Sequence, residues 1–185
     1  MTYKILWLDD EFGTHGMDSI FDDFEEGRRE GRFSEFEVTR CSTYDELEAY
    51  FDAGMYDAVI LDVIGRVSEG DARINDRPFN KAIDFLKDRN VIIKVFSGDP
   101  EKSVTEGSPI MLMEEMGWQK DRDYFFKQGS YFALFKALQK DLGKKMHIYR
   151  NREYLRDMFS PDRQYLPAKD QKHVELLLDA FVSQR

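Results

Sequence analysis

Cysteine is nearly missing from this chain of 185 residues: Cys41 stands alone. One thiol excludes an internal disulfide and any cysteine-rich zinc site, and its side chain suits a buried, small apolar position. Long apolar runs are missing as well. No stretch approaches the ~20 residues that cross a bilayer, and the charged start lacks the apolar segment of a signal peptide, so the expectation is a cytoplasmic protein with no membrane partner. His15, His147 and His173 show no metal-ligand spacing. Internal repeats and low-complexity segments are lacking too. Positive charge is in deficit, with 27 Lys and Arg against 36 Asp and Glu and a net charge of −9. That balance argues against a nucleic-acid footprint, which rests on neutralising phosphates. The deficit is uneven, because from Lys144 onward nine basic residues face six acidic ones. An acidic body with a mildly basic tail suits a tail that docks on its own body or on a partner.

What is present is a core-forming composition, 42% hydrophobic and 14% aromatic, near the size of one domain with an appendage. Short apolar runs recur with helical stretches between them: "YKILWL", "FEVTRC", "YDAVIL", "VIIKVF" and "DYFFK". This is the pattern of βα units wound into a parallel sheet. "STYDELEAYFDAG" predicts a helix with Leu47, Tyr50 and Phe51 inward, a Ser42 or Thr43 cap and Gly54 as its stop. Pro78 suits the first turn of another, capped by Asn75 or Asp76, with Phe79, Ile83 and Leu86 facing the core. A further helix follows Gly129 with Phe132, Phe135, Ala137 and Leu138.

Two stretches depart from the pattern. Val63 to Asp76 is polar, glycine-bearing and longer than the usual strand-to-helix loop of about 2 to 6 residues, which predicts a functional or mobile loop, a lid over the strand ends. The helix after Pro100 carries Gly107 and Pro109 and is expected to break into two parts. Beyond Gly143, a helical stretch is interrupted by Pro161 and Pro167. The last segment then sets Val174, Leu177, Leu178, Phe181 and Val182 on one helical face. The boundary is drawn at 1–142 for the α/β domain and 143–185 for a helical extension that contacts a second copy or a downstream protein. A helix-turn-helix is not legible there, which also argues against DNA binding.

In open parallel sheets the chemistry sits past the carboxyl ends of the strands. Asp9 and Asp10 follow the first run, Asp62 the third, Ser97 ends the fourth and Lys127 the fifth; Gly13 and Gly98 stand where backbone turns. Three converging carboxylates make an all-oxygen site for a hard cation, Mg²⁺ rather than zinc. With the metal and Lys127 neutralising an incoming phosphoryl group, Asp62 would be a usable nucleophile. Trp7, on the first strand, is expected in the core.

"ILWLDDE", "YDAVILDV", "VIIKVFSGDP" and "DYFFKQG", in that order, resemble the response-regulator receiver domain, the phosphoacceptor module of two-component signalling. The resemblance covers roughly Tyr3 to Leu142. It implies a doubly wound, flavodoxin-like five-stranded parallel sheet of order 2-1-3-4-5. It also implies that Asp62 takes phosphate from a histidine kinase or histidine phosphotransfer protein, and that Mg²⁺ is held by Asp9, Asp10, Asp62 and the backbone carbonyl of Ile64. Ser97 would bond the phosphoryl oxygen and Tyr124 would swing inward as the switch. Such a domain is not an enzyme toward other substrates.

The chain departs from that pattern at Gln128, where a proline with a cis bond is usual. A cis bond before a non-proline residue costs about 2.5 to 4 kcal/mol, so the loop either runs trans or stores strain. Ile64, two residues past Asp62, is apolar and cannot orient a hydrolytic water, which predicts slow loss of the phosphoryl group; Asp99 would act in the opposite sense. Two other readings remain: a receiver-like binding scaffold not phosphorylated in use, and a Mg²⁺-dependent phosphohydrolase of the haloacid-dehalogenase type. The latter needs Asp-x-Asp after its first strand, whereas Asp9 is followed by Asp10, Glu11 and Phe12.

Overall fold

A computed structural model of the chain describes residues 2–72, 74–87, 89, 91–98, 109–115, 117–128 and 131–144. Five strands, β1 (Tyr3–Leu8), β2 (Phe36–Cys41), β3 (Ala58–Leu61), β4 (Ile92–Ser97) and β5 (Tyr124–Phe126), alternate with α1 (His15–Arg29), α2 (Tyr44–Ala53), α3 (Arg77–Leu86), α4 (Pro109–Glu115) and α5 (Tyr131–Lys144). The strands form one sheet in the order β2-β1-β3-β4-β5, every neighbouring pair parallel. All five expected strands are present, trimmed where a run began with turn residues. The expected helix after Pro100 is described only from Pro109, and the tail beyond Lys144 lies outside the described residues, as do Asp99 and Gly129.

Because side chains alternate along a strand, β1 sends Ile5 and Trp7 to one layer and Leu6 and Leu8 to the other. The first layer packs Phe24 of α1 and Leu134, Phe135, Leu138 and Leu142 of α5 against the sheet, with Phe24 and Phe135 stacked at 4.3 Å. The second buries Leu47 of α2, Phe79, Ala82 and Leu86 of α3, and Met113 of α4. Each of the larger side chains contributes about 1.5–3 kcal/mol on full burial, which works against the entropy of ordering the chain. Cys41 is buried as expected, its thiol donating to the Trp7 carbonyl. Tyr50 is not in the core: it is 42% exposed, whereas Tyr44, Leu47 and Phe51 face the sheet side. At about 100° per residue the stripe is centred between Tyr44 and Leu47, and Tyr50 falls on its flank.

The caps follow the sequence closely. Thr43 and Glu46 form a reciprocal capping box at the start of α2. At α3 the side chain that caps is Asn75, which accepts the Arg77 N–H at 2.9 Å, while Asp76 makes no such bond. Gly117, with φ of +83°, lets the chain turn back after α4 so that the Trp118 N–H reaches the Met113 carbonyl.

The long loop after β3 is not a free lid. The Tyr44 and Asp45 N–H groups, in the first turn of α2, donate to the carbonyls of Arg66 and Val67 at 3.1 and 3.0 Å. First-turn amides have no partner within their own helix, so α2 recruits this loop to satisfy them. Gly65 and Asn75 then exchange two hydrogen bonds that close the loop at its base.

Candidate functional site

The sheet ladders run one residue past the strands and so fix the site. The Asp9 N–H donates to the Cys41 carbonyl, the Asp62 N–H to that of Leu8 at 2.9 Å, and the Lys127 N–H to that of Ser97 at 2.7 Å. Asp9, Asp62, Ser97 and Lys127 are thereby set at the carboxyl edge around the point where β1 and β3 diverge in strand order. Asp9 further anchors the turn into α1 by accepting the Glu11 N–H at 3.0 Å, and Gly13 supplies the positive φ, +89°, that this turn needs.

The sequence-predicted residues meet. Ser97 Oγ donates to Asp62 Oδ1 at 2.6 Å, and Lys127 Nζ donates to Asp62 Oδ2 at 2.6 Å. The ammonium also contacts Asp9, with Oδ1 at 3.0 Å and Oδ2 at 2.8 Å. Asp9, Asp62 and Ser97 are buried and the Lys127 side chain nearly so. No cis peptide occurs among the described residues, so the bond before Gln128 runs trans, and Lys127 reaches Asp62 without a proline behind it. The Ile64 N–H lies 3.4 Å from Asp62 Oδ1, and Ile64 is 42% exposed. Tyr124 is buried in the second layer and its hydroxyl donates to Glu114 of α4. That bond and burial push its pKa up to about 12, burial being the larger cause.

Two charged residues join the site without having been singled out in the sequence. Glu11, exposed, holds Lys127 from outside at 2.7 Å, and Arg66 approaches Asp10 from the long loop, Nε to Oδ2 at 3.9 Å. Glu11 was legible as the third acid of "DDE". Arg66 was not, because its approach depends on the pairing of its loop with α2.

Burial pushes the Asp9 carboxyl up to about 7; the Asp62 charge adds to that shift and Lys127 opposes it. Asp10 is raised by partial burial and then by Asp62, against the pull of Arg66. For Lys127 burial acts against the ammonium, but Asp62 and Asp9 outweigh it and hold the pKa above the ordinary lysine value. Four carboxylates, Asp9, Asp10, Glu11 and Asp62, face two cations, Lys127 and Arg66, so full ionisation leaves two negative charges unbalanced.

The donor set fits a divalent cation. One oxygen each from Asp9, Asp10 and Asp62 lies within 4.8 Å of the others, a spacing that hard-cation ligation at about 2.0–2.6 Å can bridge. Asp9 Oδ2 is enclosed and lacks an aligned hydrogen bond even though the ammonium is near. A buried carboxylate oxygen is costly to leave without a well-aligned partner, and a bound cation would supply one beside the ammonium. A cleft of about 370 Å³ opens beside the site, lined by Phe12, Gly13, Asp18, Arg40, Cys41, Ser42 and Glu46. None of Asp9, Asp10, Asp62, Ser97 and Lys127 lines it.

No protein-family model matches the chain, and no curated protein matches it in sequence. Solved structures do resemble it. A CheY-like response regulator receiver domain protein from Methanospirillum hungatei JF-1 superposes with a TM-score of 0.50 at 18% identity, covering 78% of this chain and 96% of that one. A putative response regulator from Chloroflexus aurantiacus J-10-fl gives 0.46 at 17% identity, over 74% and 94% of the two chains. The Vibrio cholerae chemotaxis protein CheY4 gives 0.44 at 18% identity, over 76% and 98%. At these identities the likeness is one of fold: the chain has the flavodoxin-like fold of response-regulator receiver domains. No helix among the described residues is long and apolar enough to cross a membrane.

Proposed function

We propose that the protein is a two-component response regulator that accepts a phosphoryl group on Asp62 and changes its protein contacts in consequence. The observation that carries this reading is the grip on Asp62: a hydroxyl on one oxygen and an ammonium on the other, each at 2.6 Å, beside two further aspartates. In the transfer, the bond from phosphorus to the donor's histidine nitrogen breaks and one to an Asp62 oxygen forms. The donor is a histidine kinase or histidine phosphotransfer protein.

Asp9, Asp10, Asp62 and the Ile64 carbonyl would hold Mg²⁺, which supplies charge neutralisation at the transferring group. Lys127 offers a second positive charge from the β5 side, and Ser97 a donor for a phosphoryl oxygen. Ser97 and Tyr124 lie on adjacent strands, β4 and β5. Tyr124, whose hydroxyl bonds Glu114 of α4, pairs with Val95, two residues before Ser97, and would be the switch residue. The protein acts on its own aspartate rather than on a separate substrate, works in the cytoplasm, and engages a second copy or a downstream protein through the segment beyond residue 142.

The test is to incubate the full chain with Mg²⁺ and acetyl phosphate and weigh the intact protein. One added phosphoryl group is expected, and Asp62→Asn abolishes it. A wild-type protein that stays unmodified, by this donor and by phosphohistidine donors alike, leaves the scaffold reading in its place.

A further inference from the structure

Arg66, four residues past Asp62, is mounted more firmly than a loop arginine needs to be. Its carbonyl accepts the Tyr44 N–H, its residue bridges Thr43 in parallel, and the preceding glycine is locked to Asn75. These bonds are main-chain bonds that complete the start of α2, so the position of Arg66 follows from the folding of α2 and does not depend on its own side chain. The guanidinium that results is delivered to the α2 edge of the acidic cluster, whereas Lys127 arrives from the β5 edge.

At 3.9 Å the Arg66–Asp10 pair is an attraction without a directional hydrogen bond, with the arginine 45% exposed and the aspartate nearly buried. Among the described residues, no other ion pair of Arg66 is seen. Asp10 supplies one of the three oxygens that a divalent cation would share, so guanidinium and metal need the same carboxylate. A dication bound there would also stand a few ångströms from a fixed positive charge.

We propose that Arg66 is a positioning residue that competes with the divalent cation for Asp10 and thereby sets the cation concentration at which the site loads. The inference rests on the metal-dependent reading given above and adds a regulator to it. Loading turns the guanidinium out toward solvent while the main chain stays where α2 holds it. The metal requirement of the acceptor is therefore written partly in the loop after β3, outside the acceptor constellation itself.

The experiment titrates the full chain with Mn²⁺, an octahedral oxygen-seeking stand-in for Mg²⁺. Loss of the free-ion electron paramagnetic resonance signal gives the affinity, and back-titration with Mg²⁺ gives the competing one. Arg66→Gln is expected to tighten binding by about three-fold or more, the scale of a partly exposed charge pair, while Arg66→Lys retains the wild-type value. Added salt should narrow the gap between the wild type and the glutamine variant. Because the anchoring bonds are main-chain bonds, both variants should melt as the wild type does, and Arg66→Ala serves as a second charge-removing variant. Equal or weaker binding by the charge-free variants overturns the proposal, as does a lysine variant that behaves like the glutamine one. If the wild type itself binds no Mn²⁺ at millimolar concentration, the metal reading falls and this inference falls with it. Wild-type binding left unmoved by the loss of Arg66 removes the inference alone.

Discussion

Lys127 Nζ lies 2.6 Å from Asp62 Oδ2 although the residue after it is Gln128 and not proline. The Lys127 N–H bonded to the Ser97 carbonyl sets the backbone, and Glu11 and Asp9 set the ammonium. The lysine is thus positioned by ladder and charge instead of by a special peptide bond.

That arrangement makes Lys127 the nearest counter-charge of the buried carboxylates Asp9 and Asp62. Replacing it with Met leaves Asp9, Asp10 and Asp62 facing one another without their nearest buried counter-charge. A loss of about 3 kcal/mol in the metal-free protein is expected, the scale for breaking a buried pair by removing one partner. Mg²⁺ should restore most of it, so thermal melts of Lys127→Met should shift upward on adding MgCl₂ by more than wild-type melts do. Phosphoryl uptake from acetyl phosphate should fall by about 100-fold or more, as for removal of one preorganised charge-stabilising donor.

Lys94 sits in the middle of β4, 2% exposed, and donates to Asp141 of α5 at 2.7 Å and to the Arg122 carbonyl at 2.6 Å, with Asp123 at 3.6 Å. It ties α5 and the loop before β5 to the strand that carries Ser97. For both Asp123 and Asp141 burial alone would raise the pKa, but the hydrogen bonds and charges of Arg122, Lys94 and Lys144 outweigh it and hold both carboxyls below the usual value. A depressed folded pKa means that the folded state sheds the proton more readily than the unfolded chain. The stabilisation is therefore whole above the unfolded pKa, near 3.8, and is lost as pH falls through the folded values. Acid melts below pH 4 should show this loss in the wild type and a smaller one in Lys94→Met/Asp141→Leu, a pair of changes that removes the buried charge and its partner together.

The strands were legible because each is a short apolar run that reads the same in any context, and β1 and β2 match their runs end to end. The cluster of Asp9, Asp10, Asp62, Ser97 and Lys127 was legible because strand ends are where a parallel sheet gathers its polar groups. Three features were not. Lys94 interrupts an apolar run with a charge whose partners, Asp123 and Asp141, are remote in sequence. The long loop read as a lid, since only the folded start of α2 shows that its amides need the carbonyls of Arg66 and Val67. Tyr50 read as core because Leu47 and Phe51 bracket it, and only the sheet's position tells which flank of the stripe is wet.

Tyr124 is held by Glu114, so the ring and α4 report on each other. Glu114→Ala removes the acceptor and should leave the hydroxyl in search of water. Hydrogen exchange of the amides of α4 after Pro109 should speed up in that variant, while phosphoryl uptake at Asp62 stays within about two-fold of wild type, because Glu114 bonds none of Asp9, Asp10, Asp62, Ser97 and Lys127. Unchanged exchange would remove the link between Tyr124 and α4.

Ile64 stands two residues past Asp62, 42% exposed, with its amide 3.4 Å from Asp62 Oδ1. Hydrolysis of an aspartyl phosphate needs a water aligned with phosphorus, and a group that hydrogen-bonds that water lowers the barrier by orienting it. An isoleucine offers no such bond, so the acyl phosphate should be long-lived. Ile64→Asn introduces a donor and an acceptor at the same place. It should shorten the phosphoryl half-life by about ten-fold, the gain that one well-placed hydrogen bond of about 1.4 kcal/mol in the transition state confers. The side chain is exposed, so the substitution should cost little stability. The decisive measurement is decay of the phosphorylated mass after removal of the donor, for wild type and variant side by side, with the Asp62→Asn protein as the blank. A variant half-life equal to or longer than the wild type's would sink the idea and move the control of decay elsewhere on the acceptor edge.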